Sequence, residues 1–144
     1  MLRKWTTLAA AVTAVTLAAS GLALADDDSP LHKLMEKVSA NNNAITKGVR
    51  TAVAYKKAQK DLASRAEELV KLGKEARGET EPAKKQKKSQ AEWTKLMDDY
   101  ITEAEALHSV LAKSETTQVQ AKAAHKKVKA SCTACHNVFR VDDE

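Results

Sequence analysis

After Pro30 the chain runs to its end with almost nothing that stops a helix: Gly48, Gly73, Gly78 and Pro82 are its only further glycines and prolines. Glycine and proline are the residues that cost a helix most, whereas the alanine, lysine, glutamate and leucine that dominate here favour it. Strand-like alternation of apolar and polar residues is absent, so the chain reads as all-α. A helix opens at Ser29-Pro30, a capping residue followed by proline at the first helical position. From there Leu31, Met35, Val38, Asn42, Ile45 and Val49 fall on one stripe at helical spacing. Periodicity alone would allow one helix as far as Gly73. A break is placed between Gly48 and Ala54.

The second helix turns Ala58, Leu62, Ala66, Leu69 and Leu72 inward and ends in GKEARGETEP, where Gly73, Gly78 and Pro82 cluster. A third is expected from about Pro82 to Lys113, with Trp93, Leu96, Met97, Tyr100, Ala104, Leu107 and Leu111 on one face. Its basic opening, KKQKK, reads as exposed helix or loop. Thr117 and Gln120 have the spacing of a capping box for the last helix. On that helix Ala121, Ala124, Val128, Cys132, Cys135 and Phe139 share a stripe. Four amphipathic helices with short connections fold most simply as an antiparallel up-down-up-down four-helix bundle.

The N-terminus reads differently. Residues 1–25 have a basic start at Arg3 and Lys4, an apolar stretch from Leu8 to Leu17, and Ala23-Leu24-Ala25 before an acidic run. That is the pattern of a secretory signal peptide cleaved after Ala25, which leaves residues 26–144 as one exported domain in the periplasm. The apolar stretch is short for a membrane span, and no later stretch is apolar enough to be one. Of the 24 basic residues two leave with the signal, so 22 face 19 acids, an excess of +3. That is far from the dense basic stripe of a nucleic-acid binder, and most lysines read as solvated helix faces. The excess can help docking to an acidic partner protein. Few aromatics remain: Tyr55, Trp93, Tyr100 and Phe139. A short chain with a core of small and aliphatic residues calls for another stabiliser, and export makes a disulfide or a bound cofactor the natural ones.

Both cysteines stand in SCTACHNVFR, close to the end. On a helix, Cys132 and Cys135 sit three apart and His136 four after Cys132, so the three side chains project from neighbouring points. Such a set can grip one planar object. Covalent haem attachment needs this spacing: two thiols add to two vinyl groups and the adjacent histidine supplies an axial nitrogen to iron. Three other uses compete. A thioredoxin-like redox pair would accompany a βαβ pattern, which is lacking. Zinc would need two more ligands, and His32, His108 and His125 show no paired spacing. A disulfide would close too small a loop to restrain much of the unfolded chain.

The signal, the four helices, Trp93 early in the third helix and the run Cys132 to Arg140 together resemble the cytochrome c′ family. That resemblance implies a periplasmic four-helix protein, often a homodimer, with one covalent haem c per chain near the end of the last helix. It implies His136 as proximal ligand, with Arg140 one turn later able to tune it; a cation at a helix C-terminus is also favoured by the dipole alone. Family members differ in what the first helix presents to the other side of the iron. A bulky non-ligating residue leaves iron open to nitric oxide or carbon monoxide, whereas methionine closes the site and makes a low-spin electron carrier. Met35, in LHKLMEKV, stands where the resemblance puts that distal residue. Methionine on an apolar stripe serves equally as core filling. His32, one turn earlier, is its rival, though as a histidine near a helix start it reads as exposed; His108 reads as core or rim and His125 as the lysine-flanked edge of the last helix. The family's basic residue before the distal position is replaced by Leu31, with Lys33 the nearest cation. Asn41-Asn42-Asn43 is also unusual, since asparagine prefers caps and turns.

Two functions follow from the resemblance. The first is electron transfer to and from redox partner proteins, with His136 and Met35 on the iron, outer-sphere, requiring no catalytic base or nucleophile, and guided by Lys126, Lys127 and Lys129. The second is binding of nitric oxide or carbon monoxide at an open distal site, with Met35 as core. Small residues and lysines on the first two helices fit a monomer nearly as well as a homodimer.

Overall fold

The structure is a computed structural model that describes residues 29–140. The expected signal peptide over residues 1–25 lies outside the described residues. Five helices follow in order: α1 (Pro30–Gly48), α2 (Ala52–Arg77), α3 (Glu81–Lys85), α4 (Gln90–Leu111) and α5 (Gln118–Phe139). The four long ones form the expected bundle, and α3 is a single turn on the connection between α2 and α4. None of the described helices is long and apolar enough to cross a membrane.

Each long helix starts on a hydroxyl that accepts a backbone N–H from its first turn, which removes one of the orphan donors there. Ser29 takes His32, Thr51 takes Ala54, Ser89 takes Glu92 and Thr117 takes Gln120. At Thr117 the capping box is complete, because its own N–H donates to Gln120 Oε1 at 2.9 Å. The break after Gly48 falls within the expected window. Gly48 itself is needed for close approach: a Cβ there would come within 2.6 Å of a Leu62 methyl.

One expectation is met and one corrected. The second helix ends at Arg77, inside the expected GKEARGETEP segment, and passes through Gly73, which faces α4 so closely that a Cβ would lie 2.7 Å from the Tyr100 ring. Glycine serves there as a contact surface, and Gly78 is the C-cap. The third helix is interrupted: α3 ends in a turn in which Lys88 N–H reaches Ala83 O and Lys87 N–H reaches Lys84 O, with Lys87 at φ 52°. Those paired bonds are the Schellman closure, which takes a left-handed residue in its middle. Ser89 then caps a fresh start.

The helices pack in chain order, α1 on α2, α2 on α4 and α4 on α5, around Ile45, Leu62, Leu69, Leu72, Leu107 and Val128. Helices α1 and α5 scarcely touch. Two side chains span the seam between them. Gln118 Nε2 donates to Val49 O at 2.5 Å, and His125 Nε2 lies 2.7 Å from Asn42 Oδ1. Gln118 and His125 are one heptad apart on α5, and so are Asn42 on α1 and Val49, its C-cap, in the opposite direction. The two helices are therefore antiparallel and in a defined register.

Candidate haem site

Helix α5 carries the site because its inward stripe changes character along its length. Ala121 and Val128 are fully buried, Cys132 is half-buried, Cys135 is buried, and His136 is exposed on the adjoining face. Thr133, His136, Asn137 and Arg140 line an open depression at the end of the bundle. Arg140 is the C-cap, and its N–H donates to His136 O at 3.0 Å. Phe139, on the buried side, meets Trp93 edge-on with ring centroids 5.2 Å apart. The Trp93 indole N–H donates to Ala76 O at 3.1 Å, so α2, α4 and α5 are locked together beneath the site. Such edge-to-face contacts and a satisfied indole make a rigid floor.

Both cysteines are free thiols. Burial raises the Cys132 thiol and pushes Cys135 up to about 11, with Cys132 adding to the latter by its proximity. Tyr100 is also raised by burial, and by a smaller effect from Cys132, which puts the α4 phenol near the first thiol. His136 is held below the ordinary imidazole value, first by partial burial and then by the Arg140 charge. A neutral imidazole is the form that can offer a lone pair to a metal.

The donor set fits a covalently held haem. Two protonated thiols three residues apart can add across two vinyl groups, and an imidazole one turn beyond the first can reach an iron held at the helix surface. A four-ligand zinc site has no counterpart among the described residues, where no three His, Cys, Asp or Glu side chains converge.

Of the residues singled out in the sequence, Cys132, Cys135, His136 and Arg140 come together on the last turns of α5. Met35 is half-buried on α1, packed against the core with Leu31 and Leu34. The seam register, carried one heptad beyond His125 and Asn42, puts Met35 level with Cys132. His32 is exposed and 3.7 Å from Glu36. His108 is half-buried towards the far end of the bundle.

His125 is the residue the sequence reading misplaced. It is buried at 3% exposure, not on a lysine-flanked edge, and its partner is Asn42. The signal for this was its position four after Ala121 and seven before Cys132, on the buried side of the stripe; the neighbouring lysines point the other way. Burial and, less, Lys129 lower its pKa to about 4.

No curated protein and no solved structure matches the chain. A family model described as Cytochrome C′ matches residues 29–140, from the cap of α1 through the CTACH turns to Arg140. With two free thiols and an imidazole at the positions where that pattern needs them, the chain belongs to the cytochrome c′ family, which implies a covalently bound haem c.

Proposed function

We propose that this protein is a periplasmic electron carrier with one haem c per chain, and that Met35 closes the distal side. The observation that carries the reading is the antiparallel register of α1 and α5, which brings a half-buried methionine level with the thiols. Bound haem supplies a one-electron iron couple. Cys132 and Cys135 would tether it through their thiols, and the His136 imidazole and the Met35 sulfur would be the side chains that hold its iron. Arg140 lies beside His136 and opposes positive charge at the imidazole. No general base or nucleophile is called on.

Charge is segregated in a way that supports docking. Lys122, Lys126, Lys127 and Lys129 are exposed on α5, which has no acidic residue. Lys122, Lys126 and Lys129 follow one helical face that continues through Thr133 to His136 and Arg140. Helix α4 carries Glu92, Asp98, Asp99, Glu103 and Glu105, of which Asp98, Asp99 and Glu105 pair with Arg77, Lys95 and Lys74. An acidic redox protein is thereby steered towards the α5 side.

The visible spectrum of the purified holoprotein, oxidised and reduced, with and without carbon monoxide, tests the reading. Low-spin bands, a weak sulfur-to-iron band in the oxidised form and no response to the gas are expected. In Met35→Ala the sulfur band is lost and the reduced protein binds carbon monoxide. Broad high-spin bands in the wild type that shift with the gas would instead make this an open, gas-binding member with Met35 as core. Its packing beside Leu31 and Leu34 is what favours that second reading.

A further inference from the structure

We propose that the His125–Asn42 pair is a positioning device: it holds the N-terminal half of α1 against α5 and so sets how far the distal side of the site is open. As a statement about the distal ligand, the proposal rests on the reading of Met35 above.

Helix α1 is unevenly secured. Its C-terminal half is pinned by Ile45, Gly48 and Val49, all buried, and by Gln118 across the seam. Its N-terminal half buries only Val38, with Leu31, Leu34 and Met35 half-buried. Between the halves stands Asn42. On the α2 side, Asn41 accepts from Arg65 at 3.4 Å, a long contact at a half-buried position. On the α5 side, Asn42 meets a histidine that is 3% exposed, at 2.7 Å. A buried imidazole without its partner carries a large desolvation cost, so the pair is directional in a way that apolar contact is not.

The location of the pair gives it leverage. It is the contact across the α1–α5 seam nearest to the site among the described hydrogen bonds, one heptad, or about 10 Å, from the Met35 and Cys132 level. Beyond it, α1 fully buries only Val38 and rests Leu31, Leu34 and Met35 half-buried against the core, and a segment with few fully buried contacts opens locally more readily than the rest of the fold. Releasing Asn42 frees the arm of α1 that carries Met35, while the α2, α4 and α5 layers, joined through Trp93, stay assembled. The Asn42 side chain neither tethers nor ligates anything; it acts through the helix.

The test uses the holoprotein and three variants: His125→Leu, Asn42→Ala, and His125→Gln, whose amide can still donate to Asn42. Hydrogen exchange is read helix by helix, and carbon monoxide binding to the reduced protein is read by absorbance. His125→Leu and Asn42→Ala are expected to raise amide exchange in residues 31–41 by about tenfold, the factor set by one hydrogen bond of ordinary strength. Helices α2 and α4 remain unchanged, reduced protein binds carbon monoxide where the wild type does not, and His125→Gln restores both. Should His125→Leu fail to fold, Asn42→Ala carries the comparison. Exchange raised equally in all helices, or unchanged in residues 31–41, would overturn the proposal. If Met35→Ala leaves the wild-type spectrum as it was, the ligand reading fails separately, and the exchange pattern alone decides whether the pair positions α1.

Discussion

His125 shows how much one buried side chain can make of its surroundings. The neutral ring fits its pocket and the charged ring does not, so its folded-state pKa of about 4 lies below the ordinary 6.5. Protons therefore bind the unfolded chain more readily. The sign follows: the contribution is complete above about pH 6.5 and is lost as pH falls towards 4, by on the order of 2 kcal/mol with solvent screening allowed for. Urea unfolding of the holoprotein across that window should show this slope, and His125→Leu should lack it. Tyr55 is the opposite case, a buried hydroxyl with no hydrogen-bond partner among the described residues. Removing an unsatisfied polar atom while keeping the ring costs nothing in shape, so Tyr55→Phe should be neutral or stabilising by up to about 1 kcal/mol. A fall in melting temperature would show that the hydroxyl has a partner after all.

Among the elements, glycine and its absence decide two junctions. Gly73 lets α2 lie against Tyr100 and Ile101, with no room for a Cβ. Gly73→Ala, which would strengthen an isolated helix, should instead destabilise the bundle by about 1–3 kcal/mol, because the α2–α4 contact has to open. Lys87 is the reverse: it occupies the left-handed position of the turn after α3, where an L side chain is strained. Lys87→Gly should raise stability by up to about 1 kcal/mol in thermal melts, with the visible spectrum unaltered. The capped starts at Ser29 and Thr117 were legible beforehand because capping is local chemistry. The use of Gly73 as a contact surface was not, since its partners Tyr100 and Ile101 lie on α4.

For the molecule as a whole, the separation of a basic α5 from an acidic α4 has a kinetic consequence. On the proposed electron-carrier reading, electron transfer with an acidic redox protein should slow as ionic strength rises, because the steering field is screened over about a Debye length. Reversing Lys126 and Lys129 to glutamate should slow it several-fold at low salt and by little at high salt, as followed by stopped-flow absorbance. An equal loss at both salt levels would point to disturbed packing instead.

What could be read from the chain by itself was whatever depends on local order. Helical periodicity and the scarcity of breakers specified an all-α bundle, and Cys132, Cys135 and His136 declared their chemistry because all three lie within two turns of one helix. Periodicity showed Met35 only as an apolar-stripe residue and the family resemblance alone offered it as a distal ligand, while its level relative to the thiols came from a register between helices far apart in sequence. The Asn42–His125 pair, the Gly73–Tyr100 contact and the floor made by Trp93 and Phe139 were decided by tertiary structure alone. Periodicity tells which side of a helix faces inward; it carries no information about which residue of another helix will be met there, because that depends on how the packed faces slide and settle against one another.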